Sequence, residues 1–219
     1  MKVHSRQNFF PERNSTGNSS ANFTSQLKLP SIVTTNINSG SFSLPGGLVA
    51  RHFKVISHLQ SLLERYDVVC VQDVRAPSDN YLTTLQHIFT PHTVHLSATD
   101  STRGGVITLI HSRIATSHAN GLSNAPFTVD SSPAVIHKGS SIKTTLTCRS
   151  TGKTFCIVNL YLHGSDSNHW LTEINSLTTY NHTTNTIFTG DFNFTEHPID
   201  RSSNYHNYSS AAATAFNNF

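Results

Sequence analysis

The segment Thr186-Ile187-Phe188-Thr189-Gly190-Asp191-Phe192-Asn193 decides how the rest of the chain is read. An apolar, β-branched run over Thr186–Thr189 has the character of a buried strand. It leads into Gly190, which permits a tight turn, and then presents Asp191 and Asn193 two positions apart. In extended backbone, residues two apart share a side. A carboxylate and an amide are therefore aimed into one space at a strand's end. Taken alone, such a tetrapeptide is equally well an ordinary turn, so its meaning depends on what other strands bring to the same place.

Working outward, further apolar segments bounded by turn residues read as strands: 31–38, 67–73, 93–97, 105–111, 141–149 and 154–163. Two of them also end in polar groups. Val68-Val69-Cys70-Val71-Gln72-Asp73 delivers a second carboxylate, and strand ends are where open sheets place functional groups. Thr34-Thr35-Asn36-Ile37-Asn38 closes on two amides before a Ser39-Gly40 turn. Between the strands, 47–65 carries Leu48, Phe53, Ile56, Leu59 and Leu63 at helical spacing. Asp79 is placed to cap a helix burying Leu82, Leu85 and Phe89; Ser165 or Asp166 to cap another with Trp170, Ile174 and Leu177 inside. The stretch between Cys148 and Cys156, with Ser150-Thr151-Gly152-Lys153 at its centre, reads as a β-hairpin. Hairpin pairing alongside helix-covered strands predicts an α/β (α+β) fold, a four-layer α/β/β/α sandwich of two mixed sheets. Residues 1–28, rich in Asn, Ser and Arg and without periodicity, are expected to be a disordered leader to a domain over 29–219.

At 219 residues there is room for one sizeable core. Charged residues are only 12%, about half the usual share, so the surface is expected to be neutral-polar. A net charge of +3 suits a polyanionic partner but does not by itself argue for nucleic acid. Three cysteines, an odd count, fit free thiols in a reducing compartment, with a Cys148–Cys156 cross-strand pair as the alternative. Neither a signal-peptide pattern nor an apolar run of about 18 residues is present, so no membrane association is expected.

The order of these strand exits resembles the endonuclease/exonuclease/phosphatase superfamily, which includes deoxyribonuclease I, apurinic/apyrimidinic endonucleases and the endonucleases of LINE-type retrotransposons. Asn36 matches the Asn that ends the family's first strand. Gln72-Asp73 stands where the family has Gln-Glu, and Gly190-Asp191-Phe192-Asn193 matches its most specific motif. Arg103-Gly104-Gly105-Val106-Ile107-Thr108 is similar to the Gly-Gly-Val strand of the retrotransposon enzymes; Val158-Asn159-Leu160-Tyr161-Leu162-His163 to the strand carrying a phosphate-side Tyr or His. Ile199-Asp200 is similar to the apurinic/apyrimidinic branch.

The resemblance implies metal-dependent phosphodiester hydrolysis, with DNA as substrate, Mg2+ or Mn2+ as cofactor, no obligate protein partner and an intracellular, nuclear location. Asp73 would bind the metal, with Asn36 supporting metal and phosphate. Asp191 would orient or deprotonate the attacking water, and Asn193 would bond a phosphate oxygen. Tyr161 would contact the phosphate, and His163, two residues on, competes for that role or is a polar strand-end residue. Asp73 departs from the family by one methylene. Family domains also end on an Asp-His pair, whereas after Asp200 there is no Asp or Glu and the later His is His206. The expectation is thus a domain that stops before its last strands and cleaves DNA poorly by itself. Two other readings stay open: an impaired relic of the fold, or a phosphatase or lipid phosphodiesterase built on it.

Overall fold

The structure, a computed structural model, describes residues 29–41, 50–75, 81–99, 104–117, 124–162, 167–180, 182 and 185–193. Two sheets stack face to face. The first is ordered β1 (Ile32–Ser41), β2 (Val68–Arg75), β4 (Gly105–Ile110), β3 (Thr93–Ser97). The second runs β10 (Thr186–Asp191), β9 (Thr154–Tyr161), β8 (Ser141–Cys148), β6 (Phe127–Val129), β5 (Ala115–Ser117), with β7 (Ala134–His137) also paired to β8. Both sheets are mixed: β1 joins β2 and β10 joins β9 in parallel, while β2–β4 and β8–β9 are antiparallel. The helices are α1 (Ala50–Arg65), α2 (Tyr81–Ile88) and α3 (Ser167–Thr179).

Strand alternation sorts the side chains into layers. On β2 and β4, Val69, Val71, Ile107 and Leu109 point outward to meet Ile56, Leu59 and Leu63 of α1 and Tyr81 and Leu85 of α2. Val68, Cys70 and Ile110 point the other way, into the space between the sheets, against Leu146, Phe155 and Ile157. On β9 the outward residues Val158 and Leu160 receive Ile174 and Leu177 of α3. The order is helix, sheet, sheet, helix. Each large apolar side chain fully buried in these layers contributes roughly 1.5–3 kcal/mol.

Several sequence expectations need correction. Phe53 is not in the buried stripe of α1; it is 53% exposed, and the packing face is built from Ile56, Leu59, Leu62 and Leu63. Leu82 is only partly buried, its place in the core being taken by Tyr81. The first strand does not close at Asn38 but runs on to Ser41 across a register shift between Asn36 and Gly40. The Cys148–Cys156 pair is excluded by register: Cys156 faces Thr145, and all three cysteines are buried thiols outside any disulfide. Strands β5, β6 and β7 went unread because three or four residues are too few to show a period. Leu48, Asp79, Ser165, Asp166, the Trp170 side chain and the 1–28 leader lie outside the described residues.

The layer between the sheets changes character along its length. One end is the apolar cluster just named. Toward the other end the facing residues become polar: Thr108 and Gln72 from the first sheet, Asn159 and Thr144 from the second, all buried or partly so. His95 of β3 crosses the gap, donating from Nε2 to the Asp130 carbonyl (3.0 Å) and accepting at Nδ1 from Thr144 Oγ1 (2.9 Å). Burial holds the His95 pKa below its ordinary value. The rings of His92 and His111 touch in a tilted arrangement, with centroids 4.4 Å apart and planes at 56°. Burial, then the Arg113 guanidinium, lower both, His111 to about 4.

Lowered histidine pKa values have a definite consequence for stability. Below the ordinary value of 6.5 the unfolded chain takes up protons that these folded imidazoles refuse, so stability falls as pH drops from about 6.5 toward 4. Urea midpoints measured between pH 7.5 and 4.5 are expected to decline across that window, and less steeply in His111→Gln. A flat profile would show that these histidines titrate normally in the fold.

Candidate active site

The polar end of the inter-sheet layer opens into a cluster drawn from five strand ends. In a regular strand Gln72 and Asp73 would point to opposite faces. A register shift between Gln72 and Val74, with Asp73 at φ 58°, forms a bulge that turns both toward the second sheet. Gln72 then bonds Asn159, and the Asp73 carboxylate accepts a hydrogen bond from Tyr161. The bulge is how the shorter Asp side chain is brought to its partner. Gly104 forms the wall beside them: a Cβ there would lie 2.6 Å from Asp73 Oδ1 and 2.5 Å from Tyr161 Cε1.

Asp191 arrives from β10, in register with Tyr161 on β9. Gly190 does not turn the chain, as the sequence reading had it; it lies within the strand at φ 148°, and a Cβ would overlap the Leu160 carbonyl oxygen. Only glycine lets β10 come this close to β9. Asp191 Oδ2 accepts from Asn36 Nδ2 at 2.6 Å, which joins the edge strands of the two sheets, and Oδ1 accepts from the Asn193 N–H at 3.0 Å. Asn193 lies in left-handed backbone at φ 49°. Its side-chain amide donates to the Leu162 carbonyl at 2.6 Å.

Tyr161 is the electrostatic centre of the group. Burial first, then the charges of Asp73 and Asp191, push its hydroxyl up to about 12, opposed by a hydrogen bond from the Asn193 side chain. The phenol therefore keeps its proton at all physiological pH. Asn36, Asp73, Tyr161, Asp191 and Asn193 thus stand together; His163, Asp200 and His206 lie outside the described residues. The sequence reading passed over Gln72 and Asn159 as working residues. Part of the signal was available: each is an amide directly after an apolar run, 68–71 or 155–158, and a buried amide requires partners.

Two carboxylates flanking one neutral phenol form a concentration of negative charge that a cation would neutralise. Among the described residues no three His, Cys, Asp or Glu side chains gather as a protein-only cage. A set of one or two carboxylates with amide oxygens fits Mg2+, which retains several waters, better than a metal that seeks nitrogen or sulfur.

A sandwich of two mixed sheets with acidic and amide groups gathered at its strand ends defines a fold of the deoxyribonuclease I type. The sequence model of the Endonuclease/Exonuclease/phosphatase family matches residues 33–217, and the chain belongs to that family. No curated protein sequence matches it. Among solved structures it is similar to the AP endonuclease LMAP from Leishmania major, at 15% identity and TM-score 0.52, covering 80% of this chain and 58% of that one. The endonuclease domain of TRAS1, a telomere-specific non-LTR retrotransposon, aligns at 10% identity and TM-score 0.48, covering 76% and 62%. A Bacteroides thetaiotaomicron mannosyl-6-phosphatase aligns at 13% and 0.41, covering 66% and 57%. The chain spans about three fifths of the length of these structures. At 15% identity the likeness to the Leishmania structure bears on the fold alone. Among the described residues no helix is long and apolar enough to cross a membrane.

Proposed function

We propose that this chain is a Mg2+-dependent phosphodiesterase that cuts DNA, an endonuclease of the retrotransposon type. The observation that carries the reading is the meeting of Asp73, from the first sheet, and Asp191, from the second, around Tyr161 at the polar strand ends. Asp73, with the Asn36 amide, would hold the metal. When bound, the metal supplies charge neutralisation for the phosphoryl oxygens and the leaving alkoxide.

The protein's own groups supply the rest. Asp191 is gripped at both oxygens, by Asn36 and by the Asn193 backbone, so its carboxylate has one orientation in which to align a water and take its proton. Tyr161, protonated throughout the working range, would turn its single O–H from Asp73 to a phosphate oxygen when substrate is bound. Asn193 is fixed by Leu162 and donates beside it. Tyr161 at this position and the Gly104-Gly105-Val106 strand favour the nuclease branch, and the net charge of +3 suits a polyanion.

Nicking of supercoiled plasmid by the 219-residue chain tests this. Cleavage is expected to be slow, since the chain carries no Asp-His pair after Asp200, to require Mg2+ and be lost with EDTA, and to fall about 10²-fold further in Tyr161→Phe, the magnitude for removing one donor from a developing anion. Hydrolysis of 4-nitrophenyl phosphate in preference to plasmid would move the chain to the phosphatase reading. Nicking indifferent to EDTA would overturn the metal role.

A further inference from the structure

Asn159 sits in the middle of β9, fully buried, and reaches across the gap into the first sheet. Its Oδ1 accepts from Gln72 Nε2 at 2.8 Å, and its Nδ2 donates to the Ile107 carbonyl at 2.8 Å, with Thr108 Oγ1 at 3.3 Å. Gln72 is held in turn by Thr34 Oγ1, which donates to its Oε1 at 3.0 Å. One side chain of the second sheet is thereby tied to β2 and β4, and through Gln72 to β1, of the first. Two residues further along β9, on the same face, is Tyr161; immediately after Gln72 is Asp73.

Elsewhere the sheets meet largely through the apolar cluster around Ile157 and Ile110. Apolar contact is non-directional and tolerates sliding, whereas hydrogen bonds weaken steeply with misalignment. Of the other polar crossings among the described residues, His95 to Thr144 and the Gly139 N–H to Ser97 Oγ lie on β3, at the edge of the first sheet farthest from β1, and Asn36 to Asp191 ties only the outer edge strands β1 and β10. We propose that Asn159 is a positioning residue: with Gln72 it locks the slide of one sheet past the other, and so sets the contact of Asp73 with Tyr161. Its consequence for turnover rests on the hydrolase reading above.

The test removes both amides together, as Gln72→Leu with Asn159→Leu, so that neither is left buried without a partner. Asn159→Ser, whose short hydroxyl does not reach Gln72 but leaves room for a water, is read in parallel should the double variant not fold. In protein labelled with 3-fluorotyrosine, the Tyr161 resonance is assigned by its loss in Tyr161→Phe. Adding Asp73→Asn to the parent chain is expected to shift that resonance. In the clamp variants, which retain cooperative urea unfolding, the Asp73→Asn shift is expected to vanish, and kcat on bis(4-nitrophenyl) phosphate to fall about 10²-fold with KM little changed, the scale of a 1 Å misplacement. A shift that persists undiminished in a folded clamp variant overturns the proposal. The fluorine readout does not depend on turnover. A parent chain that hydrolyses no diester would count against the hydrolase reading and leave the positioning role to be decided by the spectrum.

Discussion

Asp191→Asn is expected to lower the turnover of phosphodiester hydrolysis by about 10² to 10⁴ while the protein still folds, because in the proposed mechanism it removes the carboxylate that would take a proton from the attacking water. The substitution keeps the shape of the side chain. Only one of its two terminal atoms can then accept, so either the Asn36 or the Asn193 contact is lost. Losing one such bond costs about 0.5–3 kcal/mol, too little to unfold a domain with three apolar layers. The measurement is the initial rate on plasmid or an activated diester, beside a urea unfolding curve. Parental turnover in the variant would exclude the general-base role, and the low rate would be uninformative only if the unfolding curve had collapsed with it.

The second large effect concerns stability. Gly190→Ala places a methyl group where the Leu160 carbonyl oxygen already is, at a backbone angle that L-residues rarely adopt. The clash is with backbone inside a ladder, which cannot rotate aside, so β10 must leave β9 or the two must separate. Roughly 3 kcal/mol or more of destabilisation is expected, combining strain with local overpacking. The urea midpoint reads it directly. Because Asp191 follows in the same strand and hydrogen-bonds Asn36 of the other sheet, hydrolysis should fall as well. A variant with the parental midpoint would show that β10 and β9 are not so closely paired in solution.

These two neighbours show different degrees of legibility. That Asp191 stands in a polar cluster could be expected from its place after a buried strand, in a motif similar to that of a family. Why Gly190 precedes it was misread as a turn, since a glycine required for close approach and one required for a turn are the same letter. Asp73 is a similar case. Its strand was plain from the run Val68–Val71, yet alternation would have sent its carboxylate into the layer under α1 and α2. The bulge that reverses it arises from pairing with β4, more than 30 residues away.

Apolar periodicity along the chain determined the long strands, the helices and their order, because burial of one face is a local pattern with a period of 2 or 3.6 residues. With the polar strand exits it also determined the family. What only the tertiary structure decided is which strand ends meet: Asn36 with Asp191 across 155 residues, Gln72 with Asn159 across 87, and Asp73 with Tyr161 beside Gly104. Such contacts depend on the slide and stacking of two sheets. A buried amide in the sequence announces that it needs a partner, and its hydrogen-bonding capacity is the same whichever strand supplies one. Geometry alone selects it.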